Sequence, residues 1–561
     1  GKIALMLENE TSPQTPLQRK LAQLGKILGI AVMGICALIF VLGLLQKINP
    51  LEMFMMSISL AVAAIPEGMP AVVTIVLAIG IKRMAAKKAI VRHMPTVETL
   101  GSTQVICSGK TGTLTQNRMT VVAFSSVLGE QGIDTVQAQS ELELCTLCNN
   151  TDIIEGKTIG DPTETAFVNA CSRDKKELEK EFPRAGEIPF SSKRKMMTTA
   201  HRTHDGYRVI TKGAPDILLS RCTHCLKGGR AVPLEATERA AILRENERLA
   251  SKALRVLAVA CKDVSDLSQS DDNMENQIIF MGLLGLEDPP RKGVNEDVRK
   301  CKQAGIMPVM ITGDHAATAE AIGERLGIRD KNMKAVNGKE LDRMSDHELE
   351  KGIFDRRIYA RVSPEHKVRI VKAFQNRGMV VAMTGDGVND APALKASDIG
   401  CAMGRNGTEV AKSASDMILT DDDFSTIVSA VQEGRGIYKN IRKTVHFLVS
   451  SNIGEILVIL VAFLMKLPAP LLAVQLLWVN LVTDSFPALA LGADPVTTDV
   501  MSEKPHKRNE GIFSGGMGIS VIAEGLLIGS LSFLAYTIGR NFFDMDVLNP
   551  EVGRTMAFAV L

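Results

Sequence analysis

Charge-poor stretches long enough to cross a bilayer stand towards both ends of this chain, and a long stretch of ordinary charged sequence separates them. A helix needs roughly 20 apolar residues to cross the hydrocarbon. Lipid also forces each spanning segment to satisfy its own backbone polar groups, so these stretches are predicted to be helices. Residues 27–45 are almost free of charge, and residues 53–81 are apolar except for Glu67. Residues 447–465, 471–491 and 517–536 repeat the pattern, and residues 556–561 begin a further apolar run. A membrane protein with a large soluble insert between about 83 and 441 is therefore expected. Basic clusters stand at Lys82, Arg83, Lys87, Lys88 and Arg92, at Arg435, Lys439, Arg442 and Lys443, and at Lys504, His506, Lys507 and Arg508. All three agree on one orientation, which places the soluble domains in the cytosol.

A net charge of +2 over 561 residues gives no reason to expect a nucleic-acid partner. The ten cysteines are scattered and the first residues lack a secretory n-region and h-region, so the soluble part is expected to be reduced. Cys145-Thr-Leu-Cys148 and Cys222-Thr-His-Cys225 have the spacing of a four-thiolate zinc site. Their flanks lack the glycines and short loops of a zinc knuckle, and free thiols are the expectation. The chain opens at Gly1 and closes within an apolar run at Leu561, as expected for part of a longer protein.

Three soluble segments share one grammar, an apolar run that ends in a small turn. They are Val105-Ile-Cys-Ser-Gly-Lys-Thr-Gly-Thr-Leu-Thr115, Val309-Met-Ile-Thr-Gly-Asp314 and Val381-Ala-Met-Thr-Gly-Asp386. In a parallel α/β sheet the loops after such strands converge on one crevice, the candidate active site. An aspartate closes the second and third turns, whereas Gly109 and Lys110 stand at that place in the first.

The first segment resembles the phosphorylation motif of P-type ion-pumping ATPases, Asp-Lys-Thr-Gly-Thr, written here Gly109-Lys-Thr-Gly-Thr113. In that family the aspartate takes the γ-phosphoryl group of ATP, chemistry that needs a carboxylate and that glycine cannot perform. The stretch Thr384-Gly-Asp-Gly-Val-Asn-Asp390 matches a second family motif completely. The resemblance implies a transmembrane α-helical bundle with a cytosolic α/β phosphorylation domain like that of the haloacid dehalogenases, interrupted by an α+β nucleotide-binding domain. The expected boundaries are 1–20 for a linker from an absent actuator domain and 21–82 for two transmembrane helices. The phosphorylation domain is expected at 83–122 and 278–430, with the nucleotide-binding domain at 123–277. Residues 431–561 are expected to hold further spans around a cytosolic loop at 492–513, with the final spans beyond the chain.

Residue roles follow from the same resemblance. Asp386 and Asp390 suit a hard magnesium ion beside the transferring phosphate, with Asn389 in the same motif. Lys367, in Ser363-Pro-Glu-His-Lys367, and Lys110 supply positive charge. Thr111, Thr312 and Gly313 offer donors to phosphate oxygens, and Asp314 closes their turn. Asp288, in Asp288-Pro-Pro-Arg291, marks the hinge side. ATP is placed in the inserted domain near Glu164, Phe190, Lys195, Lys212, Gly213 and Arg255.

Ionisable groups inside a bilayer are costly and usually face a path or a partner. Glu67 lies between Pro66 and Pro70, and each proline frees the carbonyl four residues earlier. Val62, Ala63 and Ile65 are thus expected to present carbonyl oxygens beside the Glu67 carboxylate, which suits a hard cation. Asn452 and Glu455 are three apart, and Asn480, Thr483 and Asp484 fall at i, i+3 and i+4, so each set is expected on one helical face. Glu524 has no evident partner. These motifs are similar to calcium pumps of the sarcoplasmic-reticulum type, whereas secretory-pathway and plasma-membrane calcium pumps typically lack the acid at the Glu455 position.

The resemblance implies an integral membrane ATPase that carries calcium, of the plasma membrane if bacterial and an endomembrane if eukaryotic. Its partners are ATP, magnesium, calcium ions and the lipid bilayer, and it functions as a monomer. With Gly109 at the nucleophile position, this chain itself is expected to be deficient in turnover. Alternatives are a non-catalytic nucleotide- and cation-binding membrane protein, or a pump for sodium and potassium or for manganese. A soluble phosphatase of the haloacid-dehalogenase class would share the phosphoryl site but leaves the spans unexplained.

Overall fold

A computed structural model describes residues 16–45, 50–51, 54, 57, 61, 68–252, 254–267, 271–330, 333–506, 510–511, 513–544 and 549–561. Helices α1 (Pro16–Leu45) and α2 (Met69–Ala86) precede the soluble part. Strands β1 (Ala89–Val91) and β2 (Val105–Gly109) open the first sheet, and the chain then leaves it for an inserted unit. That unit is built on a nine-stranded, mostly antiparallel sheet. It holds helices α3 (Val136–Leu147) and α4 (Pro162–Ala170), and strands β3 (Arg184–Ser191), β4 (Met196–Thr203), β5 (Gly206–Gly213) and β6 (Arg255–Val264). Strands β3 to β6 pair consecutively and antiparallel, so residues far apart in sequence meet at one end.

The chain returns to the first sheet with β7 (Met307–Thr312), β8 (Val336–Asn337), β9 (Ile358–Ala360), helix α5 (Pro364–Asn376), β10 (Val381–Gly385), β11 (Ile399–Met403) and β12 (Met417–Leu419). Sheet order is β1-β12-β11-β10-β2-β7-β9-β8, parallel throughout except between β1 and β12. Strands buried on both faces read as continuous apolar runs. This is why residues 105–107, 309–311 and 381–383 carry no polar alternation, and all nine are buried. The three segments that share a grammar are the three central neighbours, with β2 between β10 and β7. Their C-terminal ends lie side by side at the point where the chain order reverses, the ligand crevice of open parallel sheets.

Helix α6 (Phe424–Leu464) leaves this sheet and runs unbroken for 41 residues. At 1.5 Å per residue it is about 60 Å long, enough to leave the soluble part and cross a bilayer as one rod. The apolar pattern alone places a boundary near 441, but no cap or breaker interrupts the helix there. Asp423 caps its start by accepting the N–H of Ser425 at 3.0 Å. After a short turn the chain returns through α7 (Ala473–Trp478), a π-type turn at Val479–Thr483, and α8 (Ser485–Gly492). Helices α9 (Met517–Ile538) and α10 (Glu551–Val560) follow. Four helical stretches, Met69–Ala86, Phe424–Leu464, Ala473–Gly492 and Met517–Phe543, are long and apolar enough to cross a membrane.

Candidate functional site

Gly109 ends the central strand of the parallel sheet, and its N–H donates to Thr384 Oγ1 at 3.3 Å. Thr384 in turn donates to Ser108 Oγ at 3.2 Å, which ties the ends of β2 and β10 together. A Cβ on Gly109 would meet only Thr113 Oγ1, at 4.0 Å, so a larger side chain has room there. In the loop that follows, Gly112 has φ +78°, and a Cβ on it would lie 3.6 Å from Asp386 Oδ2. That positive φ is strained for residues with a Cβ, and glycine lets the loop fold back over the crevice. Arg291 fixes the loop from outside, donating from Nη2 to Gly112 O at 2.9 Å and from Nε to Thr115 O at 3.2 Å. Asp288 accepts the Thr115 hydroxyl at 2.5 Å and the Arg118 N–H at 3.2 Å. The Asp288-Pro-Pro-Arg291 segment is thus stitched to the phosphorylation-motif loop.

Charge gathers around this edge. Lys110 Nζ lies 2.7 Å from Asp314, and Lys367 Nζ lies 2.5 Å from Asp390 Oδ1. Lys367 owes its place to the start of α5, where the Ser363 hydroxyl accepts the His366 N–H at 3.3 Å and Pro364 occupies the first turn. Asp390 Oδ2 accepts the N–H groups of Asp386 and Gly387 at 3.3 and 3.1 Å. Burial, and then the nearby Asp390 carboxylate, push the Asp386 carboxyl above its ordinary value. Two crowded carboxylates beside a strand end form a donor set of hard oxygens that a magnesium ion would satisfy, so Asp386 and Asp390 fit the metal that their motif implies. Thr312 is buried and its hydroxyl accepts the Asp314 N–H at 3.1 Å, whereas Gly313, Thr111 and Asn389 are exposed at the turns.

In the inserted unit, Lys212 on β5 donates to Glu164 Oε1 at 2.6 Å and lies over the Phe167 ring. Glu164 also accepts the Asn150 N–H at 2.9 Å. Gly213 pairs with Met196 across the sheet, and a Cβ there would come within 2.6 Å of Lys195 O, so only glycine permits this approach. Phe190 on β3 is 64% exposed and belongs to no core. An exposed aromatic beside two lysines and a glycine suits stacking on a base. Arg255 donates to Thr163 Oγ1 at 2.8 Å. It also lines a cavity of about 340 Å³ that reaches Lys110, Asp288 and Asp314, so the inserted unit and the strand ends share one cleft.

Among the spans, Glu455 on α6 is fully buried, and Asn480 Nδ2 donates to its Oε2 at 3.2 Å. Glu455 Oε1, Asp484 Oδ2 and both side-chain polar atoms of Asn452 are buried without a hydrogen-bond partner among the described residues. Buried oxygens left in this way mark a place built for something else. Thr483 departs from expectation, being exposed while Asn480 and Asp484 are buried. The reason is the π-type turn, in which the Asp484 N–H reaches back five residues to Val479 O at 2.9 Å. Wider turns keep i+4 above i and swing i+3 aside, so the α-helical spacing rule fails there. Val62, Ala63, Ile65 and Glu67 lie outside the described residues. Their neighbour Gly68 abuts the same turn, where a Cβ would meet Ser485 Oγ at 2.6 Å and Asn480 O at 3.3 Å.

Residues 138–293 match the family description "P-type ATPase, cytoplasmic domain N", and residues 468–561 match "Cation transporting ATPase, C-terminus". The chain is 48% identical to Calcium-transporting ATPase 1 of Bacillus cereus, over all of this chain and 65% of that protein. It is 44% identical to the Calcium-transporting ATPase of Bacillus subtilis, over all of this chain and 66% of that protein. Identity to human Calcium-transporting ATPase type 2C member 1 is 40%, over 94% of this chain and 59% of that protein. The chain belongs to the P-type ATPases. It spans less than two thirds of the length of these relatives.

Within this P-type framework some residues escaped the sequence reading. Ser108 and Thr384 both lie inside motifs that were read, but the link between them depends on which strands are neighbours. Asn150 contacts Glu164 from a loop with no motif of its own. Glu524, without an evident partner in sequence, pairs with His446 Nε2 at 3.0 Å. The two Cys-x-x-Cys pairs lie in separate hydrophobic cores, Cys145 and Cys148 in one and Cys222 and Cys225 in the other, so they do not form a common thiolate site.

Proposed function

We propose that the whole protein is an ATP-driven calcium transporter, and that this chain holds its nucleotide, phosphoryl-transfer and ion-binding parts with the nucleophile replaced by Gly109. One observation carries the ion assignment. Glu455 and Asp484 are buried in the spans with unpartnered oxygens, beside the amides of Asn452 and Asn480. A carboxylate pair with amide oxygens is hard-cation chemistry and suits calcium better than a larger monovalent ion. The names of the relatives support the same cargo. The sequence motif adds Glu67 and the carbonyls of Val62, Ala63 and Ile65 to the same proposed ligand set.

ATP would seat its base at Phe190, with Lys195, Lys212, Gly213, Glu164 and Arg255 around it, and reach the strand ends through the shared cleft. Magnesium held by Asp386 and Asp390 would offset phosphate charge, while Lys367 and Lys110 add fixed positive charge and Thr312 and Gly313 orient the oxygens. With glycine at 109 this chain binds both ligands and does not turn over. The soluble parts face the cytosol, as the basic clusters argue.

Binding of radiolabelled calcium to the full-length protein tests the reading. Glu455→Gln and Asp484→Asn should each lower affinity at least tenfold, and sodium or potassium in excess should not compete. Calcium binding indifferent to both substitutions would overturn the ion assignment.

A further inference from the structure

A cavity of about 350 Å³ lies where α6 and α9 emerge on the side of the soluble domains, within the size range of small-ligand sites. Arg435, Lys439, Arg442, Lys443 and Lys504 line it, and Glu503 is the one carboxylate in its wall among the described residues. Two of the cations are already engaged, Lys439 with Glu503 at 3.2 Å and Lys443 with Asp494 at 2.7 Å. Lys504 is exposed and is in no ion pair among the described residues. Arg442 donates from Nη2 to Ser514 O at 2.7 Å, but its Nε is buried with no partner. Arg435, 6% exposed, also leaves its Nε unpartnered. The wall thus holds a surplus of positive charge together with buried donors that nothing among the described residues accepts, and so wants an anion.

The surroundings say which anion. Ser520, on the first turns of α9, lines the cavity and is exposed. Leu527, Leu531 and Leu534 continue from it down the same side of α9 at helical spacing, each at least half exposed. Glu524, the acid on that stripe, is paired with His446, another wall residue. A basic cavity at the end of a span, continuous with a lipid-facing apolar stripe, matches a molecule with a phosphate head and acyl chains, and a soluble phosphate would leave the stripe unused. We propose that this cavity binds the phosphate headgroup of an anionic membrane lipid, whose acyl chains lie along α9.

The test uses the purified full-length protein in detergent, with phosphatidylglycerol and phosphatidylcholine offered in competition and retained lipid read by native mass spectrometry. Phosphatidylglycerol should be retained preferentially. Lys504→Gln and Arg442→Gln should each lower that preference about fivefold, the effect of one cation near an anionic headgroup. Lys82→Gln, which removes an exposed charge at the same membrane face outside the cavity, should leave it unchanged. Glycerol 3-phosphate should compete only weakly. Equal retention of the two lipids, or an equal loss in Lys82→Gln, would overturn the proposal. Displacement by glycerol 3-phosphate at matching concentration would also overturn it, by making this a soluble-phosphate site. Should Arg442→Gln fail to fold, Lys504→Gln alone decides, because Lys504 sits exposed on a loop.

Discussion

Gly109 has φ −60° and ψ 152°, angles that any residue adopts, and open space where a side chain would go. Nothing in the backbone requires glycine there, so Gly109→Asp should fold like the parent. It should restore an acid-stable phosphoenzyme from γ-labelled ATP and calcium in the full-length protein, where the parent forms none. The parent should bind ATP at least as tightly, because a carboxylate about 4 Å from the γ-phosphate repels it by up to roughly 4 kcal/mol before screening. Label on the parent would overturn the role given to this position. Glu141 is the converse case, a charge whose surroundings do not suit it. It is wholly buried on α3, neither carboxylate oxygen has a partner among the described residues, and burial pushes its carboxyl up to about 8. The folded state therefore favours the proton, so this stability is full below the ordinary value near 4.5 and is lost as pH rises through about 8. At roughly 1.4 kcal/mol per pH unit the loss is on the order of 5 kcal/mol. Glu141→Gln, neutral at every pH, should protect α3 amides better than the parent above pH 8 and equally at pH 5, read by hydrogen exchange corrected for intrinsic rates. Equal protection at both would mean the carboxylate finds water.

At the scale of elements, the π-type turn between α7 and α8 decides which side chains reach the proposed ion site. Asn480 and Asp484 point inwards because the turn is wider than α, and the same widening turns Thr483 out. Calcium affinity of the full-length protein should accordingly fall at least tenfold in Asn480→Ala, which also strips Glu455 of its amide donor. In Thr483→Ala it should change less than twofold. A large loss in Thr483→Ala would mean that this segment winds as an ordinary helix when calcium is bound.

For the whole molecule, the problem is to join a soluble sheet to a helix bundle, and Arg435 sits at the joint. From α6 it donates to Val500 O at 3.0 Å and Glu503 O at 2.7 Å on the loop before α9, and to Ala304 O at 2.8 Å beside the parallel sheet. Hydrogen bonds from a charged group contribute about 1.5–3 kcal/mol each, so Arg435→Gln should loosen the joint by about 3 kcal/mol or more. Limited proteolysis should then cut the loop at 498–505 faster in the full-length protein. ATP affinity should hold within twofold, since the proposed nucleotide cleft does not touch this residue. Parallel loss of ATP binding would instead signal general unfolding.

Sequence by itself determined the parts whose signal is local. Apolar length reported the spans, because lipid demands unbroken helices. The uninterrupted apolar runs at 105–107, 309–311 and 381–383 reported strands buried on both faces. Motifs such as Thr384 to Asp390 carried their two carboxylates within a few residues of chain. Tertiary structure decided whatever depends on neighbours or on winding. Strand order put Gly109 between Thr312 and Thr384, and a wide turn left Thr483 exposed. Glu141 lies in a stretch with two acids, and only the packing of α3 against the sheet buries it. The unbroken helix through the boundary near 441 was hidden for a similar reason, since hydropathy marks where lipid begins and says nothing of where a helix does. Burial, register and helix pitch at a given residue are set by what packs against it, and those contacts come from chain hundreds of residues away.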